Sequence, residues 1–141
     1  MGYQMVIITT QRITITRVRR PTQTNLNQEL QWLGASLGLF SLRDKDRSCF
    51  RIFIELLKAA KRNNGLTSDE LAFSLALTRG TVIHHINRLL EAGLVIHSEG
   101  RYFLRVDTLR ALVGELQKDM NRALDDLKDI ASDIDGRLGL Q

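Results

Sequence analysis

The sequence predicts a mainly α-helical protein with one small β-hairpin. Two short amphipathic patterns, at residues 67–77 and 81–92, are separated by only three residues, and two β-rich runs follow them around a short turn. From residue 109 onward, apolar residues recur at alternating spacings of four and three, as on one face of a long helix. With 141 residues, 43% hydrophobic and 26% charged, the chain suits one globular domain with appended segments.

Residues 1–24 are predicted to form a basic extended arm or strand. Between Gln4 and Arg19 the segment is rich in β-branched residues that partly alternate with threonine and arginine, a pattern typical of extended chain. Its arginines fit two interpretations: they contact a DNA backbone or groove, or they protect an edge strand against aggregation. Pro21 ends the extended run.

Residues 25–40 are predicted to form an accessory helix. Asn25 is placed to cap its first turn, with Gln28 three positions later. Trp32 is expected to pack at the edge of the apolar stripe. That stripe consists of Leu26, Leu30, Leu33 and Leu37.

A further helix is predicted over residues 41–63, with Ser41 as one possible start. Its apolar side consists of Cys49, Phe53, Leu56, Leu57 and Ala60. Cys49 is the only cysteine of the chain. We interpret it as a small buried hydrophobic residue, because a redox sensor would need a second thiol to form a disulfide within the chain.

Two shorter helices follow. Thr67 and Glu70 have the spacing of a capping box, in which each side chain satisfies a backbone N–H group at the start of a helix. Thr78, Arg79 and Gly80 are predicted to form the break before a second helix over Thr81–Ala92. Gly93 follows it, where a helix commonly ends in a left-handed residue.

The next residues predict a hairpin, in which Leu94–His97 and Tyr102–Val106 flank the turn Ser98–Arg101. Helix, tight turn, helix and hairpin is the plan of a winged helix-turn-helix. The stretch L-T-R-G-T-V-I-H-H-I-N-R-L-L-E-A-G-L-V from Leu77 to Val95 resembles the recognition helix of ArsR- and MarR-like winged-helix transcription regulators. The resemblance covers about residues 42–106, and it implies a DNA-binding domain over residues 41–106 with its hairpin as the wing.

In such motifs the N-terminal half of the second helix enters the major groove. If Val82, Ile86 and Leu89 face the core, the outer faces carry the candidate DNA-binding residues Arg79, Thr81, His84, Asn87 and Arg88. The first three lie nearest the bases, where arginine can read guanine and asparagine can read adenine. Arg88 is expected at a phosphate, and Arg101 of the wing at the backbone or the minor groove.

The C-terminal segment predicts a coiled-coil-type helix over residues 107–135, followed by a tail at residues 136–141. Its seam consists of Leu109, Val113, Leu116, Met120, Ala123, Leu127, Ile130 and Ile134. These eight positions keep an unbroken heptad register, so we interpret the helix as a dimerisation helix that packs on a second copy of the chain. The alternative is that it folds back onto the accessory helix of its own subunit.

The net charge of +4 is unevenly distributed. Residues 1–66 carry 11 Lys or Arg against 4 Asp or Glu, residues 67–106 carry four of each, and residues 107–141 carry 5 against 8. A basic N-terminal half favours nucleic acid through counterion release. The neutral balance of residues 67–106 favours an alternative, in which the winged helix is a protein-interaction module of a transcription or replication assembly.

Several classes of function are not expected. The three histidines lie outside any acid pair, phosphate loop or HExxH pattern, so no catalytic residues, cofactor or enzymatic activity are predicted. His84 and His85 are adjacent on a helix and diverge by about 100°, which argues against a shared metal ion. No apolar run is long enough for a membrane span, and residues 1–20 lack the apolar block of a signal peptide.

These observations predict a cytoplasmic homodimer that binds double-stranded DNA and regulates transcription, as a repressor rather than an activator. The sequence does not indicate an effector, the operator or the direction of the coiled coil.

Overall fold

The computed structural model describes residues 10–22 and 25–140; residues 1–9 and 23–24 of the predicted arm lie outside this part of the chain. The described elements are α1 (Leu26–Ser36), α2 (Ser48–Ala60), α3 (Ser68–Leu75), α4 (Arg79–Ala92), β1 (Val95–Ser98), β2 (Arg101–Leu104) and α5 (Leu109–Leu138). This mainly helical order with a small hairpin confirms the predicted fold class. None of the described helices is both long and apolar enough to cross a membrane.

The core is built around α2, which packs against α3, α4 and β2. Its inward side includes Ile52, Phe53 and Leu56, all almost completely buried. Cys49 lies on the same side and is buried, as predicted, and burial raises the pKa of its thiol to about 11. The other core residues come from neighbouring elements: Leu37, Leu39, Leu71, Val82, Ile86, Leu89, Leu94, Val95, Leu104, Leu112 and Leu116.

The start of α2 differs from the prediction. Residues 41–47 form turns, and the helix begins at Ser48 because the Asp44 carboxylate accepts hydrogen bonds from the backbone N–H groups of Ser48 (2.8 Å) and Cys49 (2.9 Å). Arg47, which lies between Asp44 and Ser48 in the chain, has a left-handed backbone with φ of 56°. The carboxylate therefore caps α2 from a loop residue that the sequence pattern had placed inside the helix.

The helix-turn-helix follows its local signals closely. Asn25 caps α1 as predicted, and the capping box of Thr67 and Glu70 is complete at the start of α3. The break before α4 is different, because α4 begins at Arg79 rather than Thr81. Thr78 is its cap and accepts from the Thr81 N–H at 3.1 Å, so Arg79 belongs to the first helical turn.

The wing forms directly after α4. Gly93 ends α4 in a left-handed conformation with φ of 80°, as predicted. In the antiparallel hairpin Val95 pairs with Leu104 and Ser98 with Arg101, so Glu99 and Gly100 make the turn with positive φ at both positions. Leu66 bridges Tyr102 on the other edge of β2, which attaches the wing to the segment before α3.

Residues 10–22 form an extended arm that contains no strand. The Arg12 N–H donates to the Glu91 carbonyl at the end of α4 (3.0 Å), and the Thr16 N–H donates to the Ser36 carbonyl at the end of α1 (2.8 Å). Single hydrogen bonds to helix ends leave no partner strand with which a ladder could form. The arm therefore connects two helix ends across the surface.

One buried carboxylate joins the arm, the wing and α5. Asp119 accepts from Gln11 Nε2 at 2.7 Å and from Arg105 Nη2 at 3.1 Å, and it is also paired with Arg122. The side chain of Asp119 is only 4% exposed. The Arg105 hydrogen bond, opposed by burial and assisted by Gln11, lowers the pKa of Asp119 to about 2.

The lowered pKa of Asp119 predicts how the free energy of unfolding depends on pH. A carboxylate whose pKa falls from 3.8 when unfolded to about 2 when folded stabilises the protein at neutral pH by about 2 kcal/mol. That contribution is present above pH 4 and is lost as the pH falls toward 2. Asp119→Asn is therefore expected to lower the free energy of unfolding at pH 7 by about that amount, because the amide oxygen can still accept from Arg105 but carries no negative charge.

Urea unfolding at pH 7 and at pH 3 provides the measurement. The difference in the free energy of unfolding between Asp119→Asn and wild type should be smaller at pH 3 than at pH 7. Asp129→Asn, at an exposed position of the same helix, is the control and should change stability little at either pH. A difference that stays constant between the two pH values would contradict the stabilising role of the ionised carboxylate.

The long helix α5 has two different halves. In the base, residues 109–120, Leu112, Leu116 and Asp119 are buried against the rest of the subunit. In the tip, residues 121–138, every residue is exposed. The helix continues to Leu138, so its last turn includes positions 136–138 that were predicted as tail.

Candidate nucleic-acid interface

Helix α4 presents one face to the core and another to solvent. Val82, His85, Ile86 and Leu89 are buried, as the spacing of the apolar residues predicted for three of them. His84 and Asn87 are exposed, and Thr81 and Arg88 are partly exposed. The predicted DNA-binding residues of this helix therefore lie together on its outer faces, available to a ligand without rearrangement of the core.

Arg79 lies at the N-terminal turn of this outer surface. Its side chain is 72% exposed, and its guanidinium is 3.8 Å from an Asp69 carboxylate oxygen on α3. An exposed ion pair of this length contributes little stability and is easily exchanged for another partner. Arg79 is thus free to reach a base edge or a phosphate beyond the helix.

A cleft of about 820 Å³ separates the turns before α2 from the outer side of α4. Arg43 and Lys45 line one wall, and Thr81, His84 and Arg88 line the other. Arg43 and Lys45 were not among the predicted site residues, because the sequence pattern placed them inside a helix. Their basic character was visible, but their position beside α4 depends on the turns that Asp44 stabilises.

The base of this cleft contains an ionisable pair. His85 Nε2 lies 3.8 Å from Asp44 Oδ2, and both side chains are buried. Burial lowers the pKa of His85, with partial compensation from Asp44. Burial opposes ionisation of Asp44, but backbone hydrogen bonds from Cys49 and Ser48 outweigh it and lower its pKa. At 3.8 Å the neutral imidazole and the ionised carboxylate lie side by side without a hydrogen bond, between α4 and the start of α2.

Arg101 does not extend from the wing. Its Nη1 donates to the Gly65 carbonyl at 2.9 Å and to a Glu70 carboxylate oxygen at 3.0 Å. These contacts attach β2 to the capping box of α3. The turn of the wing itself consists of Glu99 and Gly100. The charge of this turn is negative and offers no attraction to phosphate.

Across the described ranges 10–22 and 25–140, no group of three or more His, Cys, Asp or Glu side chains is placed to hold a metal ion. His84 and His85 point to different environments, one exposed and one buried.

Comparison with known protein families gave one match to this region. Residues 54–96 match the family model described as winged helix-turn-helix DNA-binding. This range includes the second half of α2, all of α3 and α4, and the start of β1. No curated protein and no solved structure matched the chain significantly. Residues 54–96 are therefore similar to winged helix-turn-helix DNA-binding domains, and the second wing strand follows directly after the matched region.

Proposed function

We propose that the protein is a non-enzymatic, sequence-specific transcription regulator of the cytoplasm that binds double-stranded DNA as a homodimer. The observation that supports this best is the outer surface of α4. It combines exposed polar residues with a cleft that carries three cations, Arg43, Lys45 and Arg88, against two carboxylates, Asp44 and Asp46, and it belongs to the region that matches a DNA-binding family. No cofactor enters the proposal.

The residues divide into two roles. Arg79, Thr81 and His84 lie at the N-terminal half of α4 and contact base edges in the major groove, with Asn87 one turn further along. Arg88 faces the cleft with Arg43 and Lys45, and these three cations contact the phosphate backbone. Arg101 acts indirectly by holding the wing against α3.

The homodimer is supported by the tip of α5. Leu127, Ile130 and Ile134 are 64%, 61% and 49% exposed, and an isolated apolar stripe of this kind marks an interaction surface. A dimer would present two copies of α4 to successive major grooves, so the operator should be a pseudo-palindrome. A dimer bound in this way excludes other proteins from its site, which is sufficient for repression.

A protein-interaction role is the second candidate. Phe73 on the outer face of α3 is 91% exposed, and Leu42 in the turns before α2 is 96% exposed. Large apolar side chains with this exposure suit a protein partner better than a phosphate backbone. The neutral charge of residues 67–106 favours the same role.

Selection from a random duplex pool tests the proposal. The purified protein should enrich a site with two inverted half-sites centred about one helical turn apart. Enrichment of a single half-site would contradict the dimer while keeping DNA binding. Failure to enrich any sequence, together with capture of a protein partner that Phe73→Ala abolishes, would favour the second candidate.

Arg79→Ala tests base reading. At the selected site the variant should lose about 1–3 kcal/mol of binding free energy and tolerate base changes at the contacted position. Its affinity for random DNA should change much less. Lys128→Ala removes a cation from an exposed position of the tip and serves as the control. Equal losses of Arg79→Ala on selected and random DNA would show that Arg79 contacts phosphate only.

A further inference from the structure

Two apolar surfaces of the described chain are left without a partner. The first is the tip stripe, which we define as Leu124, Leu127, Ile130, Ile134 and Leu138, all between 49% and 66% exposed. The second is a groove of about 950 Å³ between α1 and the base of α5. Its apolar lining consists of Pro21, Leu26, Leu30, Trp32, Leu33, Leu109 and Val113, and Arg20, Glu29 and Arg110 lie at its rim.

The tip cannot fill the groove of its own subunit. At a rise of about 1.5 Å per residue, Ile130 lies about 25 Å along the helix from Val113, and the helix is continuous between them. A second copy of the chain is the occupant with both complementary surfaces, since two copies placed antiparallel can each insert a tip into the groove of the other. This arrangement rests on the proposed homodimer.

The heptad positions distinguish the two directions of packing. In this register Leu124, Ala131 and Leu138 occupy e positions, and Asp119, Asp126 and Asp133 occupy g positions. In a parallel dimer the e residues of one helix lie against g residues of the other. Ala131 and Leu138 would then face the exposed carboxylates of Asp126 and Asp133, which disfavours the parallel arrangement.

In an antiparallel dimer the e sides face each other, and α1 lies on that side of the base. Arg110 at an e position lines the groove together with Leu26 and Trp32 of α1. The apolar e positions of a partner's tip would therefore contact α1 as well as α5. This explains why the stripe is wider than the two positions per heptad that a two-helix seam requires.

One antiparallel register pairs the exposed seam positions of the base with seam positions of the tip of the second copy. Val113 and Met120 are the a positions of the base that the winged domain leaves at least partly exposed. When Val113 faces Ile130 of a second copy, Met120 faces its Ala123, and Leu109 faces its Ile134. Leu127 of the second copy faces the position of Leu116, which stays buried with Leu112 in its own subunit. Leu127 therefore packs between Val113 and Met120, and dimerisation needs no rearrangement of the core.

The charges of the two surfaces are complementary. Residues 121–138 of the tip carry five Asp against three Lys or Arg. Two cations, Arg20 and Arg110, lie at the rim of the groove with one carboxylate, Glu29, and Arg17 and Arg19 lie in the arm nearby in sequence. An acidic helix entering a groove with a basic rim gains from electrostatic attraction, whereas two acidic tips side by side repel each other.

We infer that the groove between α1 and the base of α5 is the docking site for the α5 tip of a second copy of the chain, in an antiparallel homodimer.

Disulfide trapping tests the direction of packing. Val113→Cys/Ile130→Cys should form an intermolecular disulfide under mild oxidation, because the two positions face each other across the antiparallel interface. The two introduced cysteines of one chain, about 25 Å apart along the helix, cannot pair with each other. Wild type is the control, since its one thiol, Cys49, is buried. Ile130→Cys alone should remain unlinked.

Each other outcome has a distinct meaning. Efficient trapping of Ile130→Cys alone would show a parallel dimer, and a dimer in sedimentation without trapping would show another interface. Either result would overturn the inference and leave the proposed homodimer standing. A wild-type monomer at all concentrations would overturn both.

Trp32, the only tryptophan, provides a readout without cysteines. Leu138→Asp should shift its emission to longer wavelength, because a partner's tip would no longer cover the groove. Asp135→Asn, at an outer position of the tip, should not shift it. An unchanged spectrum for Leu138→Asp would count against the inference.

Discussion

Between 50 and 200 mM salt, the affinity of the protein for a random-sequence duplex is expected to fall by about 10³- to 10⁵-fold, as for about 6 to 10 phosphate contacts. Arg43, Lys45 and Arg88 line the cleft beside α4. A dimer presents each of these three cations twice, which gives about 6 phosphate contacts, the lower end of that range. Fluorescence anisotropy with a labelled duplex, repeated over the salt series, measures the slope.

A double variant shows whether the cleft is responsible. Arg43→Gln/Lys45→Gln should make the slope of log K against log salt shallower by about 3 to 4, since each lost phosphate contact contributes about 0.9. Lys118→Gln/Lys128→Gln removes the same charge from exposed positions of α5 outside the seam and should change the slope little. Affinity that stays constant across the salt series would contradict direct DNA binding.

Leu127→Asp is expected to convert the dimer into a monomer. The substitution would place a carboxylate without a partner inside the apolar contact between two copies of α5, at a cost of several kcal/mol. Because Leu127 is 64% exposed in the single subunit, the winged domain should remain folded. Sedimentation velocity measures the mass, and circular dichroism measures the retained helix content.

The same variant is expected to lose DNA affinity at a two-half-site operator by about 10²- to 10⁴-fold, since the second half-site is no longer bound at a high effective concentration. Ser132→Asp introduces the same charge at an exposed position outside the seam and should remain a dimer. A persistent Leu127→Asp dimer would mean that the chains associate elsewhere, through the N-terminal arm and α1.

The elements that were predicted correctly depend on residues close together in the sequence. The capping box of Thr67 and Glu70 and the left-handed Gly93 are formed within one helical turn. Short-range hydrogen bonds of this kind depend on residue type and on spacing within one turn, so they can be predicted without knowledge of the rest of the fold. The heptad spacing from residue 109 likewise predicted the long helix.

The candidate site was predicted only in part. Periodicity placed Arg79, His84 and Asn87 on the outside of α4, because burial of the apolar face determines which side remains exposed. It did not place Arg101, whose guanidinium contacts Gly65 and Glu70, more than 30 residues earlier in the chain. Arginine has the same local signature whether it binds phosphate or a distant carboxylate.

The helix-turn-helix, the wing and the apolar face of α5 are predictable from the amino-acid sequence alone, since each follows from hydrogen bonds and periodicity within a few turns. The first residue of α2, the cations that line the cleft and the contacts of Asp119 with the arm and Arg105 became visible only in the folded chain. These features depend on side chains that meet across the fold. The spacing of residues along the chain does not reveal contacts between residues as far apart in sequence as Gln11 and Asp119.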